Sequence, residues 1–350
     1  MAGDAGALTV RGLSKRFGRR KALSGVSLGL GRGQVGLLLG PNASGKTTLL
    51  KCIAGLLEPD EGEIYIGGEA VFSRNINVPP ELRDVGYVPS RPVLFEHLTV
   101  WENVALGARR KRGLRGAELD ERVRWALGLL SVEDYARARP RELSHGTRQR
   151  VAIAMAVAME PRVLLMDEPL ANVDPVLKPR LRLDIARLAR ELGIAVLMAT
   201  NLAEDAVALG DVLYVLEGGK LVYSGPLLHD AAISSRFLAS SLGYGVIPAK
   251  VLGREGDGVL VETPAGLLVA SAVRGKGEQC WAVIRPEGVE PAEDPAGRGT
   301  IACEETAIVP TPLGLVSACR SGDAMVFSRR PLNGARGVRV ASNAVEVLCE

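Results

Sequence analysis

The sequence contains only three histidines, few aromatic residues (4%) and no long apolar run. Its longest uninterrupted apolar stretch, residues 151–159, has nine residues, whereas a helix that spans a membrane needs about 20. No membrane-spanning segment is therefore expected. The first six residues carry an aspartate and no base, unlike a secretion signal, which places bases before an apolar core. These absences predict a cytosolic location.

Cysteine and histidine are scarce and scattered. The sequence has five cysteines and three histidines: Cys52, Cys280, Cys303, Cys319, Cys349, His97, His145 and His229. The cysteines are odd in number, and no two of them form a C-x-x-C pair. Disulfide frameworks and zinc sites usually show closer, paired spacings. We therefore expect neither a disulfide framework nor a zinc site.

The remaining composition is typical of a folded protein. Hydrophobic residues make up 47% of the 350 positions and the mean hydropathy is +0.14, which excludes a disordered chain because such chains lack the apolar residues for a core. A chain of this length forms roughly two domains. The net charge is only +3, without the basic stripe that binds nucleic acid, so no nucleic-acid partner is expected.

The strongest motif lies between an apolar run and a helix. Residues 34–40 are typical of a buried parallel strand, and residues 46–56 have helical spacing. The loop between them matches G-x-x-x-x-G-K-[ST] and consists of Gly40, Pro41, Asn42, Ala43, Ser44, Gly45, Lys46 and Thr47, followed by Thr48. In such a loop the backbone N–H groups surround a polyphosphate, the lysine contacts the β- and γ-phosphates, and the threonine hydroxyl ligates Mg²⁺. An ordinary glycine loop before a helix is the alternative.

Two carboxylates follow a second apolar run. Residues 163–166 are apolar and lead into Asp167 and Glu168. Adjacent side chains on a strand point in different directions, so Asp167 can reach Mg²⁺ while Glu168 polarises an attacking water. Two acids at a strand end can also simply face solvent. The phosphate-binding loop earlier in the chain favours the catalytic interpretation.

A third motif precedes this strand. Residues 143–150 read Leu-Ser-His-Gly-Thr-Arg-Gln-Arg. Ser144 is suited to cap the helix that follows. The start of that helix would present Ser144 and the Gly146 backbone to an anion such as a γ-phosphate. A serine at a helix start is by itself more often only a cap.

Together these motifs resemble those of ABC-type ATPases over residues 8–240, with a helical insert at about residues 91–141. The resemblance implies an α/β P-loop NTPase fold for residues 1–240, with ATP and Mg²⁺ as cofactors. It also implies a dimer of ABC modules, homodimeric or heterodimeric, in which the signature of one protomer closes over the nucleotide of the other. Phe17 matches the position at which the family stacks an aromatic ring on adenine. A phenylalanine buried in the core is the competing interpretation.

The sequence departs from the family pattern in three places. The signature Leu-Ser-Gly-Gly-Gln is Leu-Ser-His-Gly-Thr here, Ser90 stands at the position of the glutamine that links Mg²⁺ to the transport partner, and Asn201 stands at the position of the switch histidine. Serine reaches less far than glutamine, although a water can bridge the gap. Asparagine donates a hydrogen bond but carries no charge and moves no proton.

From these matches and departures we assign candidate roles. Lys46, Glu168 and Asn201 are the predicted catalytic residues. Thr47, Asp167 and Ser90 are the predicted Mg²⁺ ligands. ATP binding and dimer closure are expected to be retained, whereas hydrolysis is expected to be slower, or to depend differently on the partner, than in a module with every motif intact.

The sequence changes character near residue 243. It becomes rich in glycine, valine and proline, and short alternating segments such as 258–263 and 267–273 predict short strands. Residues 282–287, Ala-Val-Ile-Arg-Pro-Glu, resemble the TOBE-type domains carried by the ATPase subunits of solute importers. Residues 243–350 are therefore expected to form an all-β, OB-like domain.

The resemblance implies an ATP-hydrolysing subunit of an ABC importer for a small solute, at the cytoplasmic face of the membrane. Its partners would be membrane permease subunits, contacted by residues 88–98, and indirectly an extracellular solute-binding protein. The alternative is a regulatory nucleotide-binding protein that hydrolyses little ATP. A soluble ABC ATPase that acts on nucleic acid or ribosomes is disfavoured by the single ABC module and the lack of a basic stripe. The solute is not predicted, because importers select it outside this subunit.

Overall fold

A computed structural model of the chain describes residues 6–171, 173–227, 233–294, 297–332 and 334–349. The chain divides into two compact units, Met1–Asn201 with Ala208–Pro226, and Leu202–Val207 with Leu227–Glu350. The predicted domains, 1–240 and 243–350, differ from these units mainly in the segment 227–240. None of the helices described combines the length and the apolar composition that a membrane-spanning helix needs.

The first unit contains two sheets and the helices around them. Its strands are β1 (Leu8–Phe17), β2 (Arg20–Leu30), β3 (Val35–Leu39), β4 (Glu61–Ile66), β5 (Glu69–Ser73), β6 (Ile76–Asn77), β7 (Val85–Val88), β8 (Val163–Asp167), β9 (Ala195–Thr200), β10 (Val212–Glu217) and β11 (Lys220–Gly225). Its helices are α1 (Lys46–Ala54), α2 (Val100–Arg112), α3 (Gly116–Leu129), α4 (His145–Val157) and α5 (Lys178–Leu192). Helix α6 (Ala203–Leu209) follows β9 and lies mainly in the second unit. The predicted α/β fold is confirmed.

The two sheets share one core with α1. The antiparallel sheet has the strand order β2-β1-β4-β5-β6, and the second sheet has the order β11-β10-β3-β9-β8-β7, parallel except for β11. Strands β3, β8 and β9 are buried along their whole length, as expected for parallel strands that are covered on both faces. The apolar runs in the sequence therefore predicted the middle of this sheet correctly.

A fully buried arginine fixes the end of α1. Arg83, which precedes β7, donates hydrogen bonds to the carbonyl oxygens of Cys52 (2.8 Å) and Ile53 (3.0 Å), at the C-terminus of α1. It also donates to the carbonyl oxygen of Val78 (2.7 Å) and to Asn77 Oδ1 (2.9 Å). Helix C-termini leave carbonyls without helical partners, and a cation is favoured there. Burial lowers the pKa of Arg83, and arginine remains charged even so.

A capping box opens the first helix of the helical insert. The Thr99 hydroxyl accepts a hydrogen bond from the Glu102 N–H (3.2 Å), and the Glu102 carboxylate accepts one from the Thr99 N–H (2.7 Å), which completes a capping box at the start of α2. Helix α3 packs on α2, and both contact α4. Helices α2 and α3 thus lie within the helical insert that the sequence predicts at about residues 91–141.

The second unit is built almost entirely from strands. They are β12 (Gly245–Glu255), β13 (Gly258–Thr263), β14 (Gly266–Ala270), β15 (Ala272–Gly275), β16 (Cys280–Ile284), β17 (Val289–Ala292), β18 (Thr300–Ala302), β19 (Glu305–Thr311), β20 (Gly314–Ser321), β21 (Ala324–Ser328), β22 (Gly337–Val340) and β23 (Val345–Cys349), preceded by helix α7 (Arg236–Ser241). A six-stranded sheet, β14-β13-β12-β16-β23-β15, accompanies two three-stranded sheets, β17-β22-β18 and β19-β20-β21. The expected all-β part is confirmed.

The expectation of no disulfides is wrong. Cys280 is bonded to Cys349, 69 residues later, and Cys303 is bonded to Cys319. Strand pairing provides the reason, because β16 and β23 are neighbours whose register places Cys280 opposite Cys349. Spacing along the sequence does not reveal such a register. The odd cysteine, Cys52, lies buried in the first unit.

We predict that the two disulfides stabilise the second unit substantially. The two bonds close loops of 69 and 16 residues. The entropy that the unfolded chain loses raises its free energy by about 4 and about 3 kcal/mol respectively. A reductant should therefore lower the denaturant midpoint of the second unit, which can be followed by Trp281 fluorescence after Trp101 and Trp125 are replaced by Phe. The control is the Cys280→Ser, Cys349→Ser, Cys303→Ser, Cys319→Ser variant, on which the reductant should have no effect. An unchanged midpoint for the parent would contradict the prediction.

Candidate nucleotide-binding site

The register of the parallel sheet brings three predicted residues to one edge. Leu39 pairs with Thr200 on β9, and Asp167 pairs with Ala199 on the same strand. Gly40 follows β3, Glu168 follows β8, and Asn201 follows β9. Ligands of open parallel sheets bind at the carboxyl ends of the strands. Chain segments that are distant in sequence therefore meet where a nucleotide would lie.

Ser90 follows the next strand. Strand β7 pairs in parallel with β8, with Val88 opposite Met166. Ser90 stands two residues beyond Val88, and Asp167 is the last residue of β8, so both lie at the carboxyl edge of the sheet. The role of Ser90 as a Mg²⁺ ligand stays a prediction.

Two glycines of the phosphate loop have no room for a side chain. A Cβ on Gly40 would lie 2.1 Å from the carbonyl oxygen of Leu216, and a Cβ on Gly45 would lie 2.5 Å from that of Ala22. Gly45 also has a φ of 110° as the residue before α1, in a region that favours glycine. Ala43 has a φ of 63°. The loop thus curls tightly into the helix start, with its backbone exposed to a ligand.

The loop borders a cavity of about 370 Å³. Its lining consists of Phe17, Arg20, Ala22, Asn42, Ala43, Ser44, Gly45, Lys46, Thr47, Thr48 and Glu168. All but two of these were predicted. Arg20, which donates a hydrogen bond to the Ala43 carbonyl oxygen (3.1 Å), and Ala22 were missed. No signal could single out Arg20, because it stands among Arg19 and Lys21.

Phe17 lies at the mouth of this cavity and not in the core. Its side chain is 51% exposed, which excludes the competing interpretation of a buried core phenylalanine. The Lys15 ammonium lies 5.9 Å from the ring centroid. An exposed aromatic face beside a phosphate loop is suited to stack on a flat heterocyclic base.

Lys46 is held inside the loop. It is 5% exposed, and its ammonium donates hydrogen bonds to the carbonyl oxygens of Gly40 (2.7 Å) and Pro41 (3.0 Å). Burial lowers the pKa of Lys46, and the nearby charges of Glu168 and Asp167 partly oppose that shift. A phosphate would give this buried cation an anionic partner.

Thr47 and Asp167 form the second polar pair of the site. The Thr47 hydroxyl donates a hydrogen bond to Asp167 Oδ2 (2.8 Å), while Oδ1 of the same carboxylate is buried without a partner among the described residues. Burial raises the pKa of Asp167, against the opposing effects of the Thr47 hydrogen bond and the Lys46 charge. Hydroxyl and carboxylate oxygens are the ligands that Mg²⁺ prefers. The donor set therefore fits a divalent cation.

Glu168 is held in a strained conformation. Its φ is 48°, in the left-handed region that non-glycine residues seldom occupy. Its N–H donates to the Ala199 carbonyl oxygen (2.8 Å), which fixes the turn after β8. Such strain persists where the surrounding structure enforces it, and it is concentrated at functional sites. The turn places the Glu168 side chain in the cavity wall.

The signature residues lie at the start of α4. The Ser144 hydroxyl accepts a hydrogen bond from the Thr147 N–H (3.2 Å) and lies 2.9 Å from the Thr147 hydroxyl. The predicted N-cap is thus confirmed. Ser144 and Gly146 are both described, and neither lines the cavity. Within one chain the structure therefore does not bring the signature to the phosphate loop.

Comparisons with known proteins agree with this geometry. Residues 23–171 match the family model described as ABC transporter. The spermidine/putrescine import ATP-binding protein PotA of Rubrobacter xylanophilus is 36% identical over 87% of this chain and 80% of its own length. The molybdate/tungstate import ATP-binding protein WtpC of Thermococcus kodakarensis is 35% identical over 82% of this chain and 84% of its own length.

Solved structures are also similar. The dimeric ATP-binding cassette MJ0796, in a post-hydrolysis state bound to ADP and Pi, has a TM-score of 0.57 at 28% identity and covers 63% of this chain and 99% of its own. The cbiO1 protein of Clostridium perfringens, part of an ABC transporter complex, has a TM-score of 0.58 at 29% identity and covers 68% and 94%. These similarities, over most of the chain, show that the chain belongs to the ABC transporter family as an importer-type ABC ATPase.

Proposed function

We propose that this chain is the ATP-hydrolysing subunit of an importer for a small solute and works as a dimer of ABC modules at the cytoplasmic face of the membrane. The observation that carries the proposal is the cavity that joins the phosphate loop to Glu168, beside a buried Asp167 oxygen that has no partner in the described part of the chain. Permease subunits are the direct partners, and an extracellular solute-binding protein acts through them.

The side chains divide the chemistry among themselves. Phe17 stacks on the adenine, and Lys46 and the loop N–H groups bind the phosphates. Thr47 and Asp167, together with Ser90, would hold Mg²⁺, and the ion would neutralise phosphate charge. Glu168 accepts a proton from the attacking water. The positions of Phe17, Lys46 and Glu168 in the cavity lining support these roles.

Residues 88–98 support docking on a permease. Val93 is 70% and Phe95 43% exposed, and exposed apolar side chains on an ordered loop suit a protein interface. The fully buried Asn103 holds this loop from α2: its Oδ1 accepts a hydrogen bond from the Phe95 N–H (2.8 Å), and its Nδ2 donates to the carbonyl oxygens of Phe95 (3.2 Å) and Leu98 (3.3 Å). Hydrogen bonds to Asn103 thus fix the loop backbone, while the apolar side chains of Val93 and Phe95 remain exposed.

A second candidate function is a regulatory nucleotide-binding protein that hydrolyses little ATP. Asn201, at the carboxyl end of β9, favours it because asparagine cannot carry charge or move a proton near the γ-phosphate. Ser90 favours it because serine reaches less far than glutamine. Turnover measured with the permease separates the two functions, since only an importer subunit shows substantial, permease-dependent hydrolysis.

The Glu168→Gln variant should bind ATP and lose hydrolysis. Glutamine keeps the size of the side chain and cannot accept the proton, so we expect turnover to fall by about 10²-fold or more, as general-base losses do. Nucleotide affinity should stay within a few-fold of the parent, because the phosphate loop is unchanged. Phosphate release and fluorescent-nucleotide titration measure the two effects. Full activity in Glu168→Gln would contradict the role of Glu168 as the group that accepts the proton.

Restoring the two missing family side chains should accelerate hydrolysis. We expect the Ser90→Gln, Asn201→His variant to turn over faster than the parent, by up to about 10²-fold, the scale on which one transition-state donor acts. Steady-state phosphate release measures the change, and the matched control is Ser90→Gln alone. Equal rates for the parent and the double variant would show that Ser90 and Asn201 do not slow ATP hydrolysis.

Weakening the docking loop should reduce capture of the permease. In Asn103→Ala the Phe95 and Leu98 backbone groups lose their side-chain partner, and each buried polar group left unsatisfied costs about 1–3 kcal/mol. We expect less membrane protein to co-purify with tagged Asn103→Ala from detergent extracts. Nucleotide titration checks that the variant is folded. If the parent itself captures no membrane protein, the importer role is contradicted.

A further inference from the structure

An alanine stands in the phosphate loop where the backbone conformation suits glycine. The φ of Ala43 is 63°, in the left-handed region that residues other than glycine seldom adopt and that is disfavoured for alanine by about tenfold in population. Ala43 is exposed, so its methyl group has room and the cost lies in the backbone conformation. Such a conformation persists only where the surrounding structure enforces it.

The loop is anchored on both sides of Ala43. The Lys46 ammonium donates a hydrogen bond to the Pro41 carbonyl oxygen (3.0 Å). The Ser44 carbonyl oxygen accepts one from the Gly219 N–H (3.0 Å). These two contacts fix the flanks of the loop and do not involve Ala43. The residue in the middle of the loop therefore needs a contact of its own.

Arg20 makes that contact. Its Nη2 donates a hydrogen bond to the Ala43 carbonyl oxygen (3.1 Å), and its side chain lines the nucleotide cavity. The C=O and the N–H of a trans peptide point in opposite directions, so a bond that fixes the Ala43 carbonyl also orients the Ser44 N–H. That N–H donates to the Pro41 carbonyl oxygen (3.3 Å) within the loop. Arg20 thus sets the orientation of the central peptide of the loop.

The register of β1 and β2 places Arg20 beside the aromatic residue of the site. Phe17 and Arg20 are paired across the two strands, which are joined by a turn at Gly18 and Arg19. Side chains of directly paired residues are neighbours on one face, and both of these side chains line the cavity. One hairpin therefore carries the ring suited to the base and the guanidinium that holds the phosphate loop.

We propose that Arg20 is a positioning residue for nucleotide binding, which holds Ala43 in its left-handed conformation and so orders the phosphate loop before a polyphosphate binds. The inference rests on the proposed binding of ATP in this cavity. Order in the free protein matters because the apparent dissociation constant rises as the binding-competent fraction falls. Glycine adopts the left-handed region readily, so a chain with the Ala43→Gly substitution should not need Arg20.

Removal of the guanidinium should weaken nucleotide binding and leave the chemical step nearly unchanged. We expect Arg20→Ala to raise the Kd and the KM for ATP about tenfold, because fewer loops are then competent to bind. The kcat should stay within about twofold, since the loop is equally ordered in the bound ground state and in the transition state. Competition of ATP with a fluorescent nucleotide and steady-state phosphate release, both on the full chain, measure these constants.

The matched control is Arg19→Ala. It removes the exposed charge next to Arg20 in the same turn, and Arg19 does not line the cavity. The Kd for ATP should therefore stay at the parental value. An equal loss of affinity in Arg19→Ala and Arg20→Ala would attribute the effect to the net charge of the turn and overturn the proposal.

The Ala43→Gly substitution tests whether Arg20 acts through the loop. In the Arg20→Ala background it should return the Kd for ATP to within about threefold of the parent, because the competent fraction recovers. In the parent it should change the Kd by less than about twofold, because the loop is already ordered. A guanidinium that bound the nucleotide directly would give the same loss with either residue at this position. Absence of rescue therefore overturns the proposal.

The remaining outcomes separate this inference from the proposed function. Parental Kd and KM in Arg20→Ala, in a parent that binds and hydrolyses ATP, overturn the inference and leave the proposed function intact. A lower kcat with unchanged KM also overturns it, because that pattern belongs to a group that acts only in the transition state. A parent that binds no ATP overturns the proposed function and the inference with it.

Discussion

The main-chain pairing of β3, β8 and β9 is the constraint on which the site depends. These strands are apolar and buried, so they carry no chemistry themselves. Their parallel register nevertheless fixes Gly40, Glu168 and Asn201 at one edge. A shift of one residue would turn every side chain to the other face of the sheet. The buried apolar side chains that prevent such a shift therefore maintain the catalytic geometry.

Sequence reasoning succeeded where function and local structure depend on neighbouring residues. The phosphate loop and the cap at Ser144 are both short patterns whose physics is local, and the structure contains them. Sequence reasoning failed where the pairing of strands that are distant in the sequence determines the structure. The Cys280–Cys349 bond follows from the pairing of β16 with β23, and the position of Arg20 at the cavity follows from the fold of the β1–β2 turn. Neither feature can be predicted from the spacing of residues along the sequence.

The electrostatics of the site favour binding of its ligands. Burial lowers the pKa of Lys46 and raises that of Asp167, so each charged form is disfavoured by its surroundings. A polyphosphate and a divalent cation would reverse both penalties, because each buried charge would then gain an opposite one. The strained turn at Glu168 belongs to the same arrangement. The protein thus carries buried charges that a nucleotide and a divalent cation would stabilise.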